Sequence, residues 1–242
     1  MSDKIDVREA GTRFHTKIDW LDSWHSFSFS NHWDPNNTHF GLLMVLNDDV
    51  VAPASGFGTH PHRDMEIVTW VLDGTLAHRD SAGNEGTITP GTAQRMSAGY
   101  GIRHSEMNPS ASESVRLLQM WVPPDTNGLD PGYEQRDVAD AFKEDTLFPL
   151  ASGREADAAI TIHQRDATLW VARLNAGAGV TVPDAPFVHV FVAEGAADLA
   201  GNGTLTRGDA ARCSSAGALD LRATDDGAHV VIWETWGDLQ LV

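Results

Sequence analysis

The chain has 242 residues, of which 41% are hydrophobic and 21% charged, a balance that supports a buried core and excludes a disordered or fibrous chain. Its formal charge of −17 repels phosphate backbones and anionic headgroups, and its scattered Lys and Arg form no basic patch, so neither nucleic acid nor a membrane surface is expected as a partner. The single cysteine, Cys213, cannot close an intramolecular disulfide. With no apolar signal region at the start and no window of membrane-spanning length, a cytoplasmic location is expected.

In chain order, Gly41 to Leu46 reads as a strand, and Asn47-Asp48-Asp49 after it as a solvated turn. Glu66 to Leu72 is β-branched and aromatic, and Asp73-Gly74 closes it like a hairpin. Leu117 to Val122 is a further strand, and Pro123 to Pro131 reads as a connection. Asp137 to Lys143 is the one segment with helical spacing, offering Val138, Ala139 and Phe142 to one face. Val230 to Trp233 is a strand near the end, with Asp225-Asp226 before it as a second solvated turn. Short strands punctuated by 22 glycines and 11 prolines predict an all-β sandwich or barrel.

The chain also repeats itself. Trp70-Val71-Leu72-Asp73-Gly74 is echoed by Phe191-Val192-Ala193-Glu194-Gly195, and Ile88-Thr89-Pro90-Gly91-Thr92-Ala93 by Leu205-Thr206-Arg207-Gly208-Asp209-Ala210. Similar offsets that end on the same turn glycine predict two copies of one small β-barrel, divided into residues 1–136 and 137–242.

The 11 histidines are unevenly spread. His60-Pro61-His62 follows Gly56-Phe57-Gly58, and His104-Ser105-Glu106 follows Gly99-Tyr100-Gly101. Residues two apart on a strand share a face, so each pair aims two ligand-capable groups at one point; neighbouring strands would bring four together. Three imidazoles and a carboxylate inside a small barrel are costly to bury unless a metal compensates them.

The segment from Gly56 to Asn108, with Thr59-His60-Pro61-His62-Arg63-Asp64-Met65-Glu66, Pro90-Gly91 and Gly101-Ile102-Arg103-His104-Ser105-Glu106-Met107, closely resembles the pirin family of the cupin superfamily. Trp24-His25-Ser26-Phe27-Ser28-Phe29, Phe40-Gly41-Leu42-Leu43 and Pro131-Gly132-Tyr133-Glu134 extend the likeness over about residues 13–136. The resemblance implies a bicupin, two face-to-face jelly-roll-like barrels with short helical connections. It assigns His60, His62, His104 and Glu106 as ligands of one divalent metal in the first barrel, Fe(II) foremost, with Mn, Co, Ni, Cu or Zn able to bind the same donors.

The family includes bacterial quercetin 2,3-dioxygenases, so the implied activity is oxygenative opening of a flavonol-like ring with O2 and release of carbon monoxide, Glu106 serving also as base. The alternative is a metal-loaded, redox-sensing protein that acts on a protein partner, and a monomer is expected in either case. Glu66, at the same strand parity as His60 and His62, is the competing carboxylate. Shifted by the repeat offset, the ligand positions fall on Thr181, Pro183, Leu221 and Ala223, so the second copy carries no ligand set.

Other residues have plainer readings. His25, His32 and His39 are expected at the surface, with the mouth of a pocket as the other possibility, and His78 is expected at a strand end in solvent. His189 and His229 are expected to be structural or surface residues. Phe57, Met44, Met96, Met107, Trp70 and Trp121 are core candidates that would also suit an aromatic pocket. Cys213 is expected to be an unreactive thiol.

Overall fold

A computed structural model describes residues 4–239. The strands are β1 (Ile5–Arg8), β2 (Phe14–Ile18), β3 (Leu21–His25), β4 (Val45–Val51), β5 (Gly56–His62), β6 (Glu66–Asp73), β7 (Leu76–Asp80), β8 (Glu85–Ile88), β9 (Thr92–Ser97) and β10 (Ile102–Met107). They continue as β11 (Val115–Val122), β12 (Gly132–Asp137), β13 (Phe148–Ser152), β14 (Ile160–Thr161), β15 (Ala167–Leu174), β16 (Gly179–Val182), β17 (Phe187–Leu199), β18 (Gly203–Thr206), β19 (Ala210–Ser214) and β20 (Leu219–Thr235).

The first barrel has two walls: a seven-stranded sheet in the order β12-β9-β6-β11-β4-β3-β2 and a four-stranded sheet β5-β10-β7-β8. The second is one sheet in the order β1-β19-β17-β20-β15-β13-β14, with β16 added on β20 and β18 on β17. The expected duplication is visible in the pairing. Strands β6 and β9 pair through Trp70↔Ala93, and β17 and β19 pair through the equivalent Phe191↔Ala210. The turn glycines Gly74 and Gly195 both hold positive φ, as a left-handed turn requires.

Alternation along the seven-stranded sheet separates two environments. Val68, Trp70, Leu118 and Met120 join Phe191, Val231 and Trp233 of the second barrel in one core cluster. Burying such side chains contributes roughly 1.5–3 kcal/mol each. The alternate residues face the interior of the first barrel: Val71, Val115 and Leu117 at one end, and Asn47, Asp49, Gln119 and Trp121 around a cavity.

Several local expectations are corrected. Asn47-Asp48-Asp49 is no turn; all three lie buried inside β4. Asp48 turns toward the second barrel, where Arg116 grips it through Nε at 2.9 Å and Nη2 at 3.0 Å and also donates to the Ala193 carbonyl at 2.8 Å. Asp225 and Asp226 are exposed as expected but belong to strand β20. Asp73-Gly74 closes no hairpin, because β6 pairs with β9 and β11 while β7 pairs with β8 and β10. The chain there crosses from one wall of the barrel to the other.

Asp137 to Lys143 forms turns. The Asp137 carboxylate accepts from the Ala139 amide at 2.9 Å, and the Val138 amide donates to Gly91 O at 2.8 Å, so the segment is tied down after one turn. Seven residues fixed in this way are too few to propagate a helix. The only helical element among the described residues is the 3-10 turn Ala10–Thr12. The stretch 123–131 leads to β12, still part of the first barrel, and the passage to the second barrel follows it. In return, β1 crosses over and pairs with β19, Ile5 opposite Cys213; those residues lie across the division expected at position 136.

In the second barrel, Val182, Leu221 and Ala223 are buried in a wholly apolar cluster. Thr181 is exposed and Val182 is the buried one, so the inward position on β16 is offset by one from the repeat arithmetic. Cys213 is buried and its thiol is pushed up to about 11 by burial, which keeps it protonated.

His189 and His229 are buried, and desolvation pushes each down to about 3. Between pH 6.5 and 3 the unfolded chain takes up protons at these positions that the folded chain refuses, so stability is lost as pH falls through that window. Each contributes about 1.4 kcal/mol per pH unit. His229 Nε2 accepts from Trp70 Nε1 at 3.1 Å, a role that a glutamine oxygen can fill. The His229→Gln protein is expected to lose less stability than the parent between pH 7 and 5, measured by urea midpoints. Equal losses would contradict the assignment.

Candidate metal centre

Strands β5 and β10 pair with His60 opposite His104 and His62 opposite Ile102, and the register shifts between His104 and Glu106. The extra residue lies on β5 and brings Phe57 opposite Glu106, while regular alternation along β10 turns both His104 and Glu106 inward. Close approach at this step explains Gly56: a Cβ there would collide with the Glu106 carbonyl. On the other side β7 lies against β10, with Asp80 opposite His104 and His78 opposite Glu106.

The ligand-capable atoms of His60, His62 and His104 lie within 4.8 Å of one another, and so do those of His78, His104 and Glu106. Ring centroids are 4.8 Å apart for His60 and His62, 4.4 Å for His60 and His104, and 4.9 Å for His62 and His104. His104 is thus the hub of both groups. Of the four residues that the resemblance singled out, the structure groups His60, His62 and His104, and places Glu106 in a second group with His104 and His78.

The proton positions follow from the hydrogen bonds. His60 Nδ1 donates to Gly58 O at 2.8 Å, which leaves a lone pair on Nε2. Asp80 is fixed by the amides of Ala82 and Asn84 and by the Asn84 side chain. Burial alone would raise its pKa, but these bonds hold it below the usual carboxylate range. Asp80 accepts a hydrogen bond from His78 Nε2–H at 3.3 Å, so a neutral His78 leaves a lone pair on Nδ1, 3.5 Å from His104 Nδ1. His104 Nε2 lies 3.0 Å from His60 Nε2, and a neutral His104 has one proton for these two contacts, so one of them sets lone pair against lone pair.

Such a contact is repulsive unless a cation lies among the imidazoles. His62 Nε2, buried beside them, has no hydrogen-bond partner in the protein. Burial, with the neighbouring imidazoles, pushes His62 down to about 4 and His104 to about 2, so both are neutral bases at physiological pH. Neutral, desolvated, convergent imidazoles are the donor set that a divalent transition metal requires.

Glu106 completes the interior. Its Oε2 accepts from Gln119 Nε2 at 2.7 Å, and Trp121 Nε1 donates to Gln119 Oε1 at 3.3 Å. Burial pushes the Glu106 carboxyl up to about 7, with the hydrogen bond from Gln119 opposing the rise.

A cavity of about 360 Å³ reaches this cluster, lined at its inner end by His60, His62 and Glu106 and along its sides by Phe57, Trp121 and Phe29. Its opposite wall is polar. His25 Nδ1 donates to Asn47 Oδ1 at 2.8 Å, Thr16 Oγ1 and His25 Nε2 lie 2.9 Å apart, and Ser23 donates to Asp49. Burial pushes the Asp49 carboxyl up to about 7.

Several individual readings change here. His25 is buried in the cavity wall, whereas His32 and His39 are half-buried outside it. His78 is no surface residue but a buried contact of His104, because β7 is paired on both sides. The sequence does hold a signal for it: His78-Arg79-Asp80 has the same two-residue spacing as the two ligand pairs. Glu66 is on the wrong face. Asp64, at φ 47, turns the chain between β5 and β6 and breaks the parity with His62. Glu66 instead accepts from Ser97 Oγ at 2.8 Å and the His163 amide at 3.1 Å, toward the second barrel. Of the aromatic and methionine candidates, Phe57 and Trp121 line the cavity, Trp70 and Met96 are core, and Met107 is partly exposed.

The His78 contact predicts an outer-sphere effect. His78→Ala is expected to leave the fold intact and to weaken metal binding by about 10–100-fold, the usual cost of releasing a ligating histidine from its partner. A chelator-competition titration measures it, and unchanged affinity would remove His78 from the account.

Two barrels, with convergent histidines inside the first, define a bicupin with a candidate metal centre. The comparisons agree with that class. Residues 6–122 match the pirin family, and residues 149–234 match the quercetinase C-terminal cupin domain. A Mycobacterium tuberculosis protein provisionally named a quercetin 2,3-dioxygenase is 54% identical over 235 residues, covering 97% of this chain and 96% of its own. Quercetin 2,3-dioxygenase of Escherichia coli is 50% identical over 160 residues, 66% of this chain and 68% of its own. The crystal structure of YhhW from Escherichia coli superposes with a TM-score of 0.88 at 38% identity, over 98% of both chains. Its nickel(II) complex, described as a bacterial pirin, gives 0.88 at 37% identity, over 97% of this chain and 100% of that one. The chain belongs to the pirin family.

Proposed function

We propose that this protein is a metal-dependent dioxygenase that opens flavonol-like rings with O2 and releases carbon monoxide. The observation that carries the proposal is the cavity, which leads to His60, His62 and Glu106 and is walled by aromatic rings. A metal-loaded protein that only signalled through its surface has no use for such a space; an enzyme for a planar aromatic substrate needs one. The quercetin 2,3-dioxygenase names of its relatives point the same way.

In this reading His60, His62, His104 and Glu106 hold one divalent ion. Bound there, the ion supplies a Lewis-acidic, redox-capable centre with room for an additional ligand, and Fe(II), Mn, Co, Ni or Cu suits the donors. The chain's own residues do the rest. Trp121 and Phe57 sandwich the flat ring system, and the polar wall of His25, Asn47 and Asp49 receives its hydroxyls. Glu106 would accept the proton of the enolic hydroxyl on its carboxylate, the acceptor that lies at the inner end of the cavity beside His60 and His62. The bond from Gln119 to Oε2 fixes the carboxylate plane. The two atoms of O2 then add to the ring carbons on either side of the one bearing the enolic oxygen; the O–O bond and both bonds to that central carbon break, it leaves as carbon monoxide with its own oxygen, and the atoms of O2 remain in the ester and carboxylate of the product, while the aromatic side walls limit water at the reacting atoms.

The test is anaerobic loading with Fe(II), Mn, Co or Ni, followed by quercetin and O2. Carbon monoxide is expected in proportion to quercetin lost. Its absence from fully metallated protein with every ion would overturn the flavonol reading.

A further inference from the structure

A second, much smaller cavity lies where the two barrels meet, away from the histidine cluster. It occupies about 30 Å³ and is bounded by Arg8, Arg13, Arg212, His189, Ser26 and Asn37 among others, with no carboxylate in its lining. Its polar atoms are unusual in being unpaired. Arg13 Nη1, Arg212 Nε, Ser26 Oγ and both ring nitrogens of His189 are buried with no hydrogen-bond partner in the protein. Those atoms account for more than half of such atoms among the described residues, where a native fold tolerates few in total.

The chemistry of the unpaired groups selects the ligand. A guanidinium N–H can only donate, a serine hydroxyl can donate, and a neutral histidine offers one N–H. Arg212 Nη2 donates to Ser26 O at 3.1 Å and Asn37 Oδ1 at 2.7 Å, and among the described residues no carboxylate forms an ion pair with its guanidinium. Arg8 is engaged by Asp6 at the surface, and Arg13 reaches Asp48 only at 3.8 Å, through Nη1. Burial pulls Arg212 down to about 10, so it stays charged at neutral pH. A buried, charged guanidinium left without a counter-charge is strongly unfavourable.

We propose that this cavity binds a small inorganic anion, chloride being the size that fits. The space suits a monatomic ion, since a single water already needs 10–15 Å³ of such volume, and a bulky oxyanion does not fit. The anion would accept from Arg13, Arg212, Ser26 and His189 at once. It would tie three parts of the chain together: the N-terminal arm through Arg13, the second barrel through Arg212 and His189, and the segment bearing Ser26. Ser26 follows His25, whose ring lines the large cavity, so anion binding braces one wall of the substrate space. The proposal stands independently of the flavonol reading.

The test uses the full chain in sodium chloride, sodium bromide and sodium gluconate at matched ionic strength. Thermal midpoints are expected to rise with the logarithm of chloride or bromide concentration and to stay flat in gluconate, as linkage to one site requires. Arg212→Met and Ser26→Ala are each expected to flatten the chloride dependence. Crystals grown in bromide are expected to show one anomalous peak within hydrogen-bond distance of Arg212 Nε. Should Arg212→Met fail to fold, Ser26→Ala and the bromide peak still decide. Identical melting in chloride and gluconate, with no bromide peak in the cavity, would overturn the proposal and leave ordinary water as its occupant.

Discussion

His104→Ala is expected to abolish metal binding and with it all turnover. His104 is the residue common to both groups of convergent donors, and its Nδ1 is held by the His78–Asp80 chain while Nε2 faces His60. In the proposed site its removal would delete a ligand and the partner of the others, so affinity should fall by more than the roughly 100-fold that a lost outer-sphere contact costs. His62→Ala should behave likewise, since His62 Nε2 has no other partner to satisfy it. Urea midpoints and near-ultraviolet circular dichroism of the apo proteins separate lost metal from lost fold. A His104→Ala protein that keeps stoichiometric, tight metal would show that the ion sits elsewhere.

Glu106→Gln divides binding from chemistry. The substitution keeps the volume and an oxygen able to accept the Gln119 bond at 2.7 Å, but it removes the group proposed to take the substrate proton. Metal content is expected to stay close to that of the parent, while turnover falls by about 10²–10⁴-fold, the usual share of a general base. The measurement is kcat for quercetin at equal metal occupancy. Retained turnover would move the base role to the substrate's own ionisation. Glu66→Gln is the control: its carboxylate faces His163 and Ser97, and its loss should leave the reaction untouched.

The strand grammar and the duplicated turns made the architecture legible, because alternation and turn glycines are local. The two ligand pairs were legible for the same reason, each being two residues apart on one strand. What escaped was set by pairing between distant strands. Asp48 and Asp49 look like a solvated turn until Arg116, 68 residues away, is seen to neutralise the first, and Ser23, on a neighbouring strand, to bond the second. His78 looks like a surface residue until β7 is placed between β8 and β10. Glu66 looks like a ligand until a single left-handed residue, Asp64, rotates the following strand. In each case a polar residue changed meaning because of a partner that sequence distance conceals.

We propose one metal ion per chain, held in the first barrel beside the aromatic cavity, with none in the second barrel, where the positions equivalent to the donors are apolar or exposed. Diffraction from metal-loaded crystals at the absorption edge of the ion tests this most directly. The account predicts a single anomalous peak per chain, within coordinating distance of His60, His62, His104 and Glu106. A peak in the second barrel, two peaks of equal height, or an ion bound away from His104 would contradict it.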